Sequence, residues 1–327
     1  MAAGAPPHSA APAVSILTPA YDVARFVGAA VDSALAQTSP DWEMVVVDDG
    51  SVDGTAAVVA ARKDPRIRLI RQANAGVSAA RSRAVEAARG RAVLFLDADD
   101  WLAPDALDRL SAALAAAPPD AVGAYGAYAF VAEDAKPGDP PLRRKSGPFP
   151  AGDILERLVV QNLFANGGHL LLRREAVDRA GPFLSHVRYG EDWEYWIRLA
   201  LQGPFAVVPG AEPLLFVRQR TGSAYNRMAR DPAAFRPAMD AIFNNPALRE
   251  RLGAERAEYL HRRAEAENAW IAGRELIRHG QRGPGLEKLR ASVAAAPSPK
   301  RVLLLAAAHA LPVLPRRLHG PFTAYPA

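Results

Sequence analysis

The 327-residue chain contains no cysteine. Disulfides and thiolate metal sites are thereby excluded, and a reducing, cytoplasmic setting is the expectation. Nor is there an apolar run long enough for a membrane span of ~20 residues. The longest near the C-terminus, VLLLAAAHALPVLP (302–315), is too short and carries His309 and Pro312. The opening MAAGAPPHSAAPA lacks the basic start and apolar core of a secretory signal, so residues 1–12 read as a disordered lead-in. Basic residues are not interleaved with aromatics and the net charge of +5 is modest, so no nucleic-acid partner is expected. Carboxylates also run out before the end. No Asp or Glu follows Glu287, whereas Lys300, Arg301, Arg316 and Arg317 bracket the last apolar run. That pattern suits either peripheral contact with an anionic membrane surface or packing of the run against the rest of the protein.

What the first half does contain is alternation. VSILT (14–18), EMVVVD (43–48), IRLI (67–70) and AVLFLD (92–97) read as strands, with helices over 55–62 and 77–88. Phe26, Ala30, Ser33, Ala34 and Gln37 form a helical stripe after the first strand. EMVVVD is continuous rather than alternating, as a strand covered on both faces is. The rhythm predicts an α/β fold with a mostly parallel central sheet and helices on both faces. In such sheets ligands bind beyond the C-terminal ends of the strands. Residues 133–150, including KPGDPPLRRKSGPFP, read as a loop beside the site. Shorter elements are expected after it: helices over 153–160 and 191–201, and strands over 169–173, 205–208 and 214–217. From about residue 226 the pattern is helix, Gly-Pro turn, helix, Pro turn, helix. The predicted division is a domain over 13–225 and a helical appendage over 226–327.

Three acidic clusters sit where that sheet rule puts a site. Asp48 and Asp49 end one strand, DADD brings Asp97, Asp99 and Asp100 to the end of another, and GEDWEYW (190–196) opens a helix with Glu191 and Asp192. Singly, each has an ordinary explanation, because Asp before Gly-Ser makes turns and Asp ahead of a helix caps it. Together they cost self-repulsion unless a cation or donor offsets it. Hard oxygen ligands suit Mg²⁺ or Mn²⁺ bridging diphosphate oxygens, which needs only one or two protein carboxylates. A separate carboxylate is then needed to deprotonate an acceptor hydroxyl, and Asp192 is the candidate base.

Three blocks spanning 14–55, 74–101 and 190–203 carry these clusters: VSILTPAY through VVVDDGSVDGT, NAGVSAARSRAVEAARGRAVLFLDADDW, and GEDWEYWIRLALQG. In sequence and spacing they resemble the successive signature blocks of the family 2 glycosyltransferases. The resemblance implies a GT-A fold and an inverting transfer from a nucleotide-sugar donor, with a UDP-sugar favoured. The acceptor it implies is a hydroxyl of a growing glycan or lipid-linked saccharide. By the family pattern, Pro19 and Tyr21 lie against the nucleoside, Asp49 bonds the base, and Asp97 sits near the ribose or diphosphate. Asp99 ligates the metal and Asp192 is the catalytic base. Asn74 either contacts the donor or closes its turn. Asp48, on the opposite side of its strand from Asp49, is expected to hold amides around Gly50 and Ser51.

One departure stands out. Where much of the family has Arg-x-His, this chain has Arg218 and then Arg220. Arginine can grip a diphosphate but cannot ligate a metal, so Arg220 is assigned to the donor. His169 and His186 read as structural. Along the helix from Glu191, Trp193, Trp196, Ile197 and Ala200 read as core, and Tyr195 and Arg198 as surface or rim.

Other readings fit less well. A sugar-phosphate nucleotidyltransferase wants a Gly-rich basic loop after the first strand, where TPAYDVARF supplies only Arg25. An aspartate-nucleophile phosphatase wants Thr or Val after its D-x-D, which DADDW lacks. The non-catalytic alternative is a degenerate GT-A domain that binds nucleotide or scaffolds other enzymes, and three intact acidic clusters weigh against it.

Overall fold

The computed structural model describes residues 11–220 and 233–310. Most of the expected lead-in, the expected boundary near 225, and the part of the last apolar run beyond 310 lie outside the described residues. The chain divides into two compact units that are interleaved in sequence. The first gathers the residues up to Gly152 with Asn166–Ser185 and Gln202–Arg218. The second gathers Asp153–Ala165, His186–Leu201 and the described residues from Gln219 onward.

The first unit is built on strands β1 (Val14–Ala20), β2 (Trp42–Asp48), β3 (Ile67–Arg71), β4 (Ala92–Phe95), β6 (Gly123–Tyr125), β9 (Leu170–Arg173) and β10 (Phe205–Val207). They form one sheet in the order β10-β6-β9-β4-β1-β2-β3, in which only β9 runs antiparallel to its neighbours. β2 is buried along its whole length, which requires cover on both faces and explains its unbroken apolar run. β3 is the edge and only half-buried, so it tolerates the arginines in IRLIR. A second, four-stranded sheet joins β5 (Trp101–Leu102), β11 (Leu215–Arg218), β7 (Tyr128–Val131) and β8 (Arg143–Lys145). The helices of this unit are α1 (Val27–Leu35), α2 (Thr55–Ala60), α3 (Val77–Ala87), α4 (Ala106–Ala116) and α6 (Arg174–Ala180). All five residues of the predicted stripe around α1 are buried. Its Gln37 ties the helix to the next layer, donating to the Ala103 carbonyl (2.7 Å) and accepting from the Leu107 amide (3.0 Å).

The order of the strands fixes where a ligand belongs. The chain lays down β1, β2 and β3 in one direction, then returns to place β4 on the other side of β1. The reversal makes a switch point between the C-terminal ends of β1 and β4, where open parallel sheets bind ligands.

Far from that edge, Glu43 on β2 anchors the sheet. Its carboxylate is buried, accepts from Ser15 Oγ (2.7 Å), the Arg89 amide (2.6 Å) and Arg89 Nε (3.0 Å), and lies 3.4 Å from Arg68 Nε. Burial pushes its pKa up, but the Ser15 and Arg89 donors, with the charge of Arg68, outweigh burial and hold it below the ordinary 4.5. The sign follows from linkage: a depressed carboxylate stabilises the fold above its unfolded pKa and stops doing so as pH falls through the folded value. Glu43→Gln should therefore cost about 3 kcal/mol near neutrality, the low end for a broken buried pair because both arginines are part-exposed. In urea titrations the gap between wild type and variant should close below about pH 4.5.

The second unit contains α5 (Leu155–Val160), α7 (Glu191–Ala200), α8 (Arg236–Phe243), α9 (Pro246–Leu252), α10 (Ala254–Arg278), α11 (Arg282–Ala295) and α12 (Pro299–Ala310). The expected run of helices is present, with one correction. The break between α10 and α11 is at His279–Gln281, where Gly280 takes φ +80, and Gly283-Pro284 fall inside the first turn of α11. Proline is tolerated there because the first helical amides have no intrahelical partner. α10 and α11 cross at paired glycines. A Cβ on Gly273 would lie 2.8 Å from the Gly285 carbonyl, and one on Gly285 would lie 2.7 Å from that of Gly273.

Two further differences from the sequence reading concern short elements. The stretch 133–150 is not wholly a loop, because β8 lies within it, paired with β7. β5, β6 and β7 were not foreseen either. Strands of two to four residues are too short to show a period.

Candidate functional site

The loops after β1, β2, β3 and β4 leave the same edge of the sheet, and most of the sequence candidates lie on them. The DGSVDGT stretch acts first as a latch. The Asp22 amide donates to Ser51 Oγ (3.0 Å), and Asp22 Oδ1 accepts from the Val52 amide (2.9 Å). The Val23 amide donates to Thr55 Oγ1 (2.9 Å) and the Ala24 amide to Asp53 Oδ2 (2.8 Å). Asp22 sits at φ 48, a left-handed conformation that Asp tolerates better than most residues. The latch fixes the turn that carries Pro19, half-buried, and Tyr21, which is 51% exposed. An exposed tyrosine on a pinned turn is suited to stacking on a planar ligand.

Asp48, the last residue of β2, and Asp49, just beyond it, are both buried and engage different partners. Asp48 is fully buried, accepts from the Ser51 amide (3.0 Å) and pairs with Arg71 Nε (3.0 Å). Asp49 is 3% exposed. Its Oδ1 accepts from Gln72 Nε2 (2.8 Å) and the Ala75 amide (2.9 Å), and its Oδ2 from the Gly76 amide (2.8 Å). It thus holds the 72–76 turn, on which Asn74 is exposed. The turn also packs closely on Gly50 (φ +81), where an added Cβ would be 2.9 Å from the Asn74 nitrogen. The mutual repulsion of the pair is offset by donors on both.

At the end of β4 the acidic cluster is layered. Asp97, 29% exposed, pairs with Arg81 Nη2 on α3 (3.0 Å), and the Arg81 guanidinium stands over the Phe183 ring. Asp99 is half-buried. Asp100 lies beneath, buried, accepting from Asn166 Nδ2 (2.6 Å) and the Arg218 amide (2.8 Å). Burial, followed by repulsion from Asp99 and Asp97, pushes its pKa well above the usual carboxylate range, against the pull of those donors. Arg218 supports the whole turn. Its Nε donates to the Asp99 carbonyl (2.9 Å), its Nη1 to the carbonyls of Glu133 (2.6 Å) and Ala135 (2.8 Å), and its guanidinium packs over Phe26 and Trp101.

Arg81, Asn166 and Arg218 were not singled out from sequence as supports of this cluster. A signal for Arg81 was available. It shares the buried face of α3 with Ser78, Ala80 and Ala84, and an arginine among small residues beside a carboxylate-rich edge asks for an anion. For Asn166 no local pattern exists. His169 is structural, as expected. Its Nδ1 is 2.8 Å from the Gly126 carbonyl, and burial lowers its pKa to about 4.

In the second unit, Gly190 (φ +76) starts α7 and leaves Glu191 and Asp192 half-exposed in the first turn. A helix N-terminus favours negative charge. Asp192 Oδ1 accepts from the Trp193 amide (2.6 Å). Trp193 Nε1 donates to the Leu158 carbonyl of α5 (2.6 Å), which fixes the helix end. Trp193, Trp196, Ile197 and Ala200 are buried as expected, but Tyr195 is buried too rather than at the rim. Arg198 pairs with the buried Glu194 at 2.8 and 2.9 Å and lies over the Tyr195 ring. α7 is covered on more than one side, so a single 3.6-residue stripe understates its core. Arg220, two residues beyond β11, is half-buried and belongs to this unit, as does the exposed His186.

Pro19, Tyr21, Asp49, Asn74, Asp97 and Asp99 are therefore gathered on one edge of the first unit. Among the described residues no three His, Cys, Asp or Glu side chains converge as a metal cage. A carboxylate-lined switch point on a mostly parallel α/β sheet is consistent with the GT-A fold expected from the sequence. Residues 15–181 match the family model described as glycosyl transferase family 2, and the chain belongs to that family. Relatives include the uncharacterized glycosyltransferase EpsJ of Bacillus subtilis, 43% identical over 102 residues (31% of this chain, 30% of EpsJ). The succinoglycan biosynthesis protein ExoO of Rhizobium meliloti is 47% identical over 100 residues (30% of this chain, 29% of ExoO). The matched stretch thus spans less than a third of either relative. Among solved structures, S. aureus TarS 1-349 in complex with UDP-GlcNAc superposes with a TM-score of 0.59 at 20% identity, covering 91% of this chain and 87% of that one. The mannosyltransferase PcManGT from Pyrobaculum calidifontis, in complex with GDP-Man and Mn²⁺, gives 0.57 at 22%, covering 94% and 82%.

Proposed function

We propose that this protein is an inverting glycosyltransferase that moves a sugar from a nucleotide-diphosphate donor, a UDP-sugar in first preference, to a hydroxyl of a glycan or lipid-linked acceptor. The observation that carries the reading is the layered cluster at the switch point. Asp97 and Asp99 are partly exposed there, while Asp100, Asn166 and Arg218 are buried as their supports. Structural acids do not need such a scaffold to keep two carboxylates open to solvent.

The donor set fits Mg²⁺ or Mn²⁺. The candidate ligands are the hard carboxylate oxygens of Asp97 and Asp99, which suit a cation that takes one or two protein carboxylates and completes its shell with phosphate oxygens and water. Asp99 would hold it, with Asp97 beside the ribose or diphosphate. When bound, such a cation supplies neutralisation of the charge that develops on the leaving diphosphate. Tyr21 and Pro19 flank the nucleoside. Asp49 has three of its about four acceptor sites filled, which leaves one for the base. Asn74 lies on the turn that Asp49 holds, and Arg220 grips the diphosphate bidentately. The acceptor oxygen attacks the anomeric carbon on the face opposite the diphosphate. The new C–O bond forms as the bond to the diphosphate breaks, the hydroxyl proton passes to Asp192, and the electron pair leaves with the diphosphate.

Thermal shift across a panel of nucleotide sugars, with and without Mn²⁺, tests the reading. A bound donor should raise Tm by mass action, by the equivalent of about 2.7 kcal/mol at a hundredfold excess over Kd, and the rise should need the metal. No response to any nucleotide sugar would count against a transferase. Binding without turnover over the same panel would favour the degenerate, nucleotide-binding alternative.

A further inference from the structure

The outward face of α12 is anomalous. The helix buries Leu304 and Ala308 in a cluster with Trp270, Ile277 and Leu289. The opposite stripe, which water should cover, carries Val302 (51% exposed), Leu303 (65% exposed), Ala306 and Ala310, with no carboxylate. A helix bathed in solvent fills that face with charged residues. Here the charges that the helix itself carries, Lys300 and Arg301, are at its start and of one sign. Lys300 and Arg290 are exposed beside the stripe, and Arg290 Nη2 is 2.7 Å from His309 Nε2. Arg282 donates to the His309 carbonyl (2.8 Å) and Arg301 is tied to Glu267 (2.6 Å). Beyond Glu287 the sequence has Lys288, Arg290, Lys300, Arg301, Arg316 and Arg317 and no acid.

We infer that the Val302–Leu303 face of α12 docks on an anionic lipid surface. Apolar side chains framed by lysine and arginine are what an interfacial helix presents, entering the headgroup layer while the cations meet anionic lipid. A second copy of the chain is a poorer occupant. Two such faces would bring like charges together, and a stripe of two large side chains falls well short of the ~1,200 Å² that a stable interface buries. Among the described residues no helix is long and apolar enough to cross a membrane, so the contact is peripheral. The inference stands apart from the proposed activity, because vesicle binding needs no donor.

The test is flotation of the full chain with vesicles of phosphatidylcholine alone or doped with phosphatidylglycerol. Binding should require the anionic lipid, weaken as salt is raised, and fall at least about tenfold in Val302→Asp/Leu303→Asp, since a charge now replaces each inserted side chain. Both positions are exposed, so circular dichroism and any donor-dependent Tm shift should be unchanged in that variant. Lys300→Glu should weaken binding several-fold while leaving the apolar face intact. Equal binding to neutral and anionic vesicles, or undiminished binding by the double variant, would overturn the proposal. A concentration-dependent dimer in sedimentation velocity that the double variant abolishes would overturn it in favour of self-association.

Discussion

Asp192→Ala should lower kcat for sugar transfer by about 10²–10⁴-fold, the range for removing a positioned general base. The protein should remain folded and still give the donor-dependent Tm shift. Asp192 is half-exposed and its side chain accepts from the Trp193 amide, a bond whose loss costs about 1 kcal/mol. The end of α7 is held independently, by Trp193 Nε1 on the Leu158 carbonyl and by the Glu194–Arg198 pair. Loss of activity therefore cannot be ascribed to a melted helix if circular dichroism and Tm are near wild type. Asp192→Asn is the sharper variant, because the amide keeps the acceptor oxygen for the cap but cannot take the proton. Transfer at the wild-type rate by either variant, with the true acceptor, would remove Asp192 from the mechanism. Glu191, its neighbour on the first turn, is the control, and Glu191→Gln should cost far less.

Long, buried elements were legible in the sequence, and short or two-part ones were not. VVVD and VSILT announced β2 and β1 because burial on both faces demands unbroken apolar runs. β5, with two residues, and β6, with three, exist through pairing with partners far along the chain, and no local pattern encodes that. The clusters at the strand ends were visible as types and spacings. Which aspartate faces inward was only partly visible. Alternation along β2 correctly turned Asp48 onto the Ser51 amide, but nothing local foretold that Asp49 would take three donors from the 72–76 turn. The same limit hid the burial of Tyr195, since helical periodicity shows one packed stripe and α7 has more. Asn166 and Arg218 reach Asp100 across 66 and 118 residues of chain. Such contacts belong to tertiary structure alone.

Those long-range contacts make the second large effect separable from a trivial one. Asp99→Ala should lower kcat/KM by about 10²–10³-fold and abolish the metal dependence of the donor-induced Tm shift, as the loss of a charged ligand at the reacting diphosphate would. Stability should fall less than in Asp100→Ala, because Asp99 is only half-buried and its removal lifts a like charge from beside Asp100. Asp100→Ala should do the reverse. It strips the acceptor from the Asn166 amide and the Arg218 N–H in a buried place, at a cost of about 2–4 kcal/mol in urea titrations. Asp100→Asn does not rescue it fully, since its oxygen can accept from only one of the two donors while its NH₂ faces the other. Raised metal does not restore Asp100→Ala, because what has failed is the support under Asp99 rather than the ligand. If instead Asp99→Ala kept metal-dependent transfer while Asp100→Asn lost it in a stable protein, the inner carboxylate would be the ligand. The exposure and hydrogen bonding described for the cluster make that the less expected result, because both oxygens of Asp100 already accept from protein donors.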